Sequence, residues 1–228
     1  MILRFGFLEY GIKENGELVL GKSRLKIDYS KEYGGWASDQ MINFWERYIR
    51  TVFNRYKGKV KYYLTFNEVN NMNNGNPLHA AGVLTIKDPK YPDDARKSIT
   101  DQDKWQAYYH LCVANALTVK IGHEIDPSMK VGCMLTSSCV AVYPMNPDPE
   151  NVFGAYEKQR MSNFVYGDPF CKGIIPGYVK RLWKELGLDI KMDEEGLAMI
   201  KKYTVDFFSF SYYRSSVYDK GVVIGNQK

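Results

Sequence analysis

Apolar residues fall at positions 41, 45, 48, 49, 52, 53 and 56, a stripe of 3.6-residue period with Ser38 and Asp39 as candidate caps and Gly58 just past its end. This spacing predicts a helix over 41–56. The segment VKYYLTF (60–66) that follows is β-branched and aromatic over a strand-like length and reads as a buried strand. The alternation recurs. Trp105, Tyr108, Tyr109, Cys112, Ala116, Leu117 and Ile121 mark a second helix, stopped by Asp126-Pro127 before a strand at KVGCML (130–135). Helical patterns then fall around 149–164, 175–187 and 193–202, and VDFFSFSYY (205–213) is the next strand.

Strands each preceded by a helix imply a parallel α/β architecture, either a doubly wound sheet or a (β/α)8 barrel. The polar residues Thr65, Asn67 and Glu68, then Ser211, Tyr212 and Tyr213, gather at strand carboxyl ends, where barrel enzymes carry their chemistry. The loops 69–103 and 136–148, rich in Asn and Pro, leave from those same ends. No GxGxxG or GxxxxGK[ST] cradle is present, which weighs against the dinucleotide-binding alternative.

Composition narrows the classes further. With 45% apolar residues and 14% aromatics, the 228-residue chain can bury a sizeable core. Its 31 basic and 26 acidic side chains are interspersed rather than clustered, which argues against a nucleic-acid partner. Cys112, Cys133, Cys139 and Cys171 lack CxxC spacing and a nearby histidine pair, so neither a zinc site nor a disulfide framework is expected, and reduced thiols in a cytoplasm fit best. Arg4 and Glu9 bracket an apolar run too short for a signal peptide. The uncharged stretch 131–147 carries Pro, Ser, Thr and Asn and reads as strand plus loop, not as a membrane span.

The candidate chemistry lies in YYLTFNEVNN (62–71). Glycosidic bonds break when one carboxylic acid protonates the leaving oxygen and a second carboxylate attacks or stabilises the anomeric carbon. Glu68, flanked by apolar Phe66 and Val69, has surroundings that can raise a carboxyl pKa toward general-acid use, and Asn67 offers a donor and an acceptor to a sugar hydroxyl. A glutamate at a strand end is also a common helix cap or surface ion-pair member. On the residues alone both readings stand. His110 and His123 fall within the second helix, where a structural role is expected, and His79 lies in the long loop after Glu68, from which it could approach a substrate although most loop residues carry no such role.

TFNE followed by VNN closely resembles the acid/base motif on the fourth barrel strand of glycoside hydrolase family 1, in the form of its bacterial 6-phospho-β-glucosidase branch. KEYGGW (31–36), RYKGKVKYYLTFNE (55–68), KIGHEIDPSMKVGCML (120–135), NPDPENVFGAYEKQR (146–160), IPGYVKRLWKELGLDIKM (175–192) and TVDFFSFSYYRSSV (204–217) resemble the same branch in the same order. The resemblance implies one domain, an incomplete (β/α)8 TIM barrel of roughly strands three to six, with 31–220 family-like and 1–30 atypical. It implies Glu68 as general acid/base, Asn67 on the hydroxyl beside the anomeric carbon, and Tyr213 as the tyrosine held against the nucleophile. It implies retaining hydrolysis of 6-phospho-β-glucosides without metal or cofactor. An unphosphorylated β-glucosidase, a 6-phospho-β-galactosidase and a non-catalytic fragment remain as alternatives.

The family's nucleophile motif, (I/V)TENG, is not found after the SYY strand. Glu14-Asn15-Gly16 contains part of it, on the wrong side of the motif order, and Asn-Gly between strand-like residues signals a hairpin turn instead. Also missing are the family's first, second and last strands and the sugar-binding histidine of the third. The expectation is that this chain carries the acid/base half of the site, is inactive alone, and self-associates or meets a companion chain that completes the barrel.

Overall fold

The computed structural model describes residues 11–12, 18–19, 35–72, 99–136 and 142–225. Two short strands, β1 (Gly11–Ile12) and β2 (Leu18–Val19), pair antiparallel with Ile12 opposite Leu18. The pairs bracket Glu14-Asn15-Gly16, where a hairpin turn was expected, but those residues lie outside the described ones, and a two-residue turn at Asn15-Gly16 would instead set Ile12 opposite Val19.

Helix α1 (Gln40–Tyr56) turns its apolar stripe inward and buries Trp45, Ile49 and Phe53. It leads through Gly58, at φ 72°, into strand β3 (Tyr62–Asn67). Helix α2 (Asp101–Ile125) starts four residues before the first apolar position of its sequence pattern. A capping box sets that start: the Thr100 hydroxyl accepts the Asp103 amide and the Asp103 carboxylate accepts the Thr100 amide. The helix is buried along most of its length, as a helix packed on several sides must be. It returns the chain to β4 (Lys130–Thr136), parallel to β3.

After β4 come β5 (Val142–Pro144) and helix α3 (Pro149–Gln159). The helix does not stop at 164. It widens into a π-helical turn at Arg160–Phe164, tightens over Val165–Gly167 and widens again at Asp168–Lys172, with Pro169 inside the second wide turn. Gly173 ends the run at φ 68°, where a Cβ would stand 2.8 Å from the Lys201 carbonyl oxygen. Helices α4 (Gly177–Glu185) and α5 (Glu194–Lys202) follow, α5 capped by the Asp193 carboxylate accepting the Gly196 amide at 2.6 Å. Strand β6 (Phe207–Ser211) then lies parallel to β4, and β7 (Ser216–Asp219) and β8 (Val222–Ile224) form a hairpin. Its two turn residues, Lys220 and Gly221, both have positive φ, as a tight hairpin requires.

The main sheet has the order β3-β4-β6, all parallel, and a second small sheet has the order β5-β7-β8. Three parallel strands with helical crossovers bear out the α/β reading, but they form an open segment and not a closed barrel. Four strands were expected. The region expected to hold the remaining one falls largely outside the described residues. Two further expectations need correction. The stretch 136–148 is not loop throughout, because Val142–Pro144 finds a partner in β7. The strand at 205–213 is shorter, ending at Ser211, because Ser211 is the last residue with a partner on β4.

One apolar cluster joins α1, the helical side of β3 and β4, α2, the π-helical run, α4 and α5. On β6, by contrast, Phe208 is 45% and Phe210 51% exposed. No described helix is long and apolar enough to cross a membrane.

Candidate active site

The site is built where β3 ends. Leu64 pairs with Gly132 and Asn67 with Met134, so two residues of β3, Thr65 and Phe66, oppose the single Cys133 of β4. Such a bulge bends the strand and re-aims the residues beyond it. Both bulge residues are anchored. The Thr65 hydroxyl donates to the Asn115 side-chain oxygen of α2 at 2.7 Å. Phe66 stacks on Trp45 at 4.9 Å and meets the edge of Trp36 at 5.5 Å. Trp45 is itself fixed by its indole N–H, which donates to Thr118 at 2.8 Å.

Glu68 is the next turning point. Its amide donates to the Met134 carbonyl at 2.9 Å, and its carbonyl accepts the Asn71 amide at 3.0 Å. Between these two bonds the chain leaves the strand with Glu68 at φ 52°, a left-handed conformation that a non-glycine residue holds at a cost of roughly 1–3 kcal/mol. A single turn of 3-10 helix, Val69–Met72, comes next, with Val69 and Met72 fully buried. The Asn71 side-chain N–H reaches the Glu68 carboxylate at 3.4 Å. Glu68 is half-buried, between the packed turn and solvent.

Asn70 locks the turn to β4. Its Nδ2 donates to the carbonyls of Thr136 (3.2 Å) and Ser162 (3.0 Å), and its Oδ1 accepts the Thr136 amide at 2.9 Å. Asn70 and Thr136 are buried, where an unmade hydrogen bond is costly, so the carboxamide fixes how the turn sits on the strand end. Sequence reasoning gave Asn70, Asn71 and Asn115 no role. The consecutive asparagines after Glu68 were a signal for the first two; Asn115 sits inside an apolar helix pattern and becomes meaningful only once Thr65 faces it.

Asn67 ends β3, half-buried, immediately before Glu68. Tyr213 lies two residues past β6, on the same carboxyl side of the sheet, 76% exposed, with β4 between its strand and β3. Sheet spacing puts the axes of β3 and β6 roughly 10 Å apart. His110 is a structural residue: its Nδ1 meets the Trp36 carbonyl at 2.8 Å, its Nε2 meets Gln106 at 3.0 Å, and burial pushes its pKa down despite the Trp36 bond. His123 pairs with Asp206 at 2.9 Å, at the opposite, amino-terminal end of the strands. His79 lies outside the described residues. Among those described, no cluster of three His, Cys, Asp or Glu side chains is arranged to hold a metal ion.

Chemically, this arrangement presents one carboxylate, held by its backbone, beside a carboxamide at the mouth of a parallel sheet. That suits proton delivery to a ligand lying across the strand ends.

Comparison with known proteins gives the family and the fold. The sequence profile of glycosyl hydrolase family 1 matches residues 28–226. A 6-phospho-beta-glucosidase of Clostridium longisporum is 43% identical over 207 residues, which cover 91% of this chain and 40% of that protein. The aryl-phospho-beta-D-glucosidase BglH of Bacillus subtilis is 42% identical over 87% of this chain and 39% of its own length. Among solved structures, the psychrophilic beta-glucosidase BglU of Micrococcus antarcticus superposes with a TM-score of 0.62 at 23% identity, over 82% of this chain and 37% of that one. The chain thus spans about 40% of the length of the curated relatives it matches, and its fold is a partial TIM barrel.

Proposed function

The chain belongs to glycosyl hydrolase family 1, and from that premise we propose that it carries the acid/base half of a retaining β-glycosidase acting on 6-phospho-β-glucosides. The observation that carries this reading is the fixed, left-handed Glu68 at the carboxyl end of β3. Glu68 protonates the glycosidic oxygen as the bond breaks and then, as the carboxylate, takes a proton from the water that releases the sugar. Asn67, next in the chain, hydrogen-bonds the hydroxyl beside the anomeric carbon. Tyr213 donates its phenol hydrogen to the nucleophilic carboxylate, which keeps that group ionised and oriented.

The preference for a phosphorylated sugar rests on the relatives, which are named for it. A charged sugar phosphate does not cross a lipid bilayer unaided, so this reading places the reaction in the cytoplasm. Retention requires a second carboxylate about 5–5.5 Å from the first, and no (I/V)TENG motif occurs in the 228 residues. Turnover therefore depends on complementary strands, supplied by self-association, by a companion chain or by further sequence of a longer polypeptide.

The test is release of an aryl leaving group from a 6-phospho-β-glucoside and from its unphosphorylated and galacto counterparts. The chain is assayed alone and mixed with the complementary segments of a family relative, with light scattering on the same samples. The expected result is no turnover alone and phosphate-dependent turnover on complementation, abolished by Glu68→Gln. Complemented turnover indifferent to Glu68→Gln would overturn the assignment. Turnover by a monodisperse, cooperatively melting monomer would overturn the half-site reading.

A further inference from the structure

The turn that follows β3 sets two polar side chains against one another. The Asn71 amide donates to the Glu68 carbonyl at 3.0 Å, and in so tight a turn residues three apart stand side by side. Val69, Asn70 and Met72 are fully buried and anchor the turn in the core. Asn71 is instead half-buried, and its Nδ2 donates to Oε2 of Glu68 at 3.4 Å. A carboxylate only accepts, so the carboxamide must face it with its nitrogen and not its oxygen. Among the described residues, Asn71 supplies the side-chain hydrogen bond to this carboxylate. The bond is long, and catalytic hydrogen bonds commonly tighten only in the substrate complex.

Resting on the reading of Glu68 as acid/base, we propose that Asn71 is its positioning residue: it holds Oε2, so that Oε1 is the oxygen that gives a proton to the glycosidic oxygen and takes one back from water. The two oxygens have different duties. Oε1 is a hydroxyl while Glu68 is the acid and bare while it is the base. Oε2 carries no proton in either state, as the carbonyl oxygen of the neutral carboxyl or as one end of the carboxylate, and so accepts the Asn71 N–H throughout. One hydrogen bond thus keeps the side chain in place through both halves of the cycle. Over that cycle Oε1 loses one proton to the leaving oxygen and regains one from water, and Asn71 exchanges none. The turn itself does not depend on this side chain, because the Asn70 carboxamide already ties it to the Thr136 and Ser162 backbone.

The first readout needs no turnover. In the 228-residue chain with isotope-labelled asparagine, the Asn71 side-chain N–H resonances are identified by their loss in Asn71→Ala. At pH 7 one of the two protons should resonate downfield of a free carboxamide and return to the free position in Glu68→Ala. A pair of resonances indistinguishable from a free carboxamide, or unchanged in Glu68→Ala, would overturn the proposal. The second readout uses the complemented enzyme. Asn71→Ala should lower kcat/KM about tenfold for an alkyl 6-phospho-β-glucoside and much less for a nitrophenyl one, whose departure needs little protonation, with the urea midpoint unchanged. On the Glu68→Gln background the same change should bring no further loss. Equal losses with both leaving groups, or a full further loss beside Glu68→Gln, would make Asn71 merely structural and sink the inference while leaving the acid/base reading intact. Turnover indifferent to Glu68→Gln would sink that reading first, and the inference with it. Where complementation yields no turnover, the resonance decides alone.

Discussion

Strands β3 and β6 flank the same central strand, yet their carboxyl ends sit in different surroundings. The end of β3 is held from several sides: Thr65 by Asn115, Phe66 by two tryptophans, Glu68 by the Met134 carbonyl and Asn70 by the Thr136 and Ser162 backbone. The end of β6 runs out through Phe208, Phe210, Tyr212 and Tyr213, all exposed. One end can hold a reactive group in place by itself. The other leaves Phe208 and Phe210 uncovered on the face that carries Cys133 and Leu135 on β4, where helices pack, a gap that fits the coverage of about 40% of the relatives' length.

The sharpest way to break this comparison is to exchange the reactive groups. In the complemented assay, Glu68→Gln should lower turnover roughly 10²–10⁴-fold, least with substrates whose leaving groups need no proton, while the melting temperature of the chain stays put. Tyr213→Phe, by the same assay, should cost less than Glu68→Gln. A larger loss at Tyr213 would reverse the ranking of the two ends.

Stability gives the next contrast. Asn70→Ala strips a buried carboxamide from two carbonyls and an amide and should destabilise by about 3 kcal/mol, read as a drop in the urea midpoint. Thr65→Val leaves the Asn115 oxygen without its donor from β3 and should cost about 1–2 kcal/mol. The amino-terminal end of β6 supplies a pH test. Burial raises the Asp206 pKa, but the Val131 amide, His123 and Lys130 together lower it below the usual carboxylate range. A depressed folded pKa contributes stability that is present above the unfolded value, about 3.9, and is lost as pH falls through the folded one. Asp206→Asn should therefore lower the urea midpoint at pH 6, and the gap to the parent should narrow as pH falls below about 4. At the exposed end, Phe210→Ser should change stability by less than about 0.5 kcal/mol while reducing self-association in light scattering.

The same division governs how much of the molecule is legible before folding. The helices α1 and α2, the strand cores and the position of Glu68 were legible, because each rests on a period of apolar residues or on a contiguous motif. Wherever the structure departs from a simple period, the sequence was silent. The wide turns of 160–172 bury residues at a spacing that neither a 3.6 nor a 2.0 period describes, and Pro169 reads as a stop although it sits inside the run. β5 is three residues in an apparent loop and exists only because β7, far along the chain, pairs with it. The left-handed turn at Glu68 was equally hidden, since it is imposed by hydrogen bonds to a strand that arrives more than sixty residues later.

That last distance also has a kinetic side. Among the described strands β3 finds its partner only when α2 and β4 have been made, and at synthesis rates of about 5–20 residues per second the wait for β4 is on the order of several seconds. During that interval YYLTFN is a short, uncharged, aromatic segment with open hydrogen-bonding edges on the nascent polypeptide. The strand that presents Glu68 is thus also a stretch in need of shelter from aggregation while the ribosome is still at work.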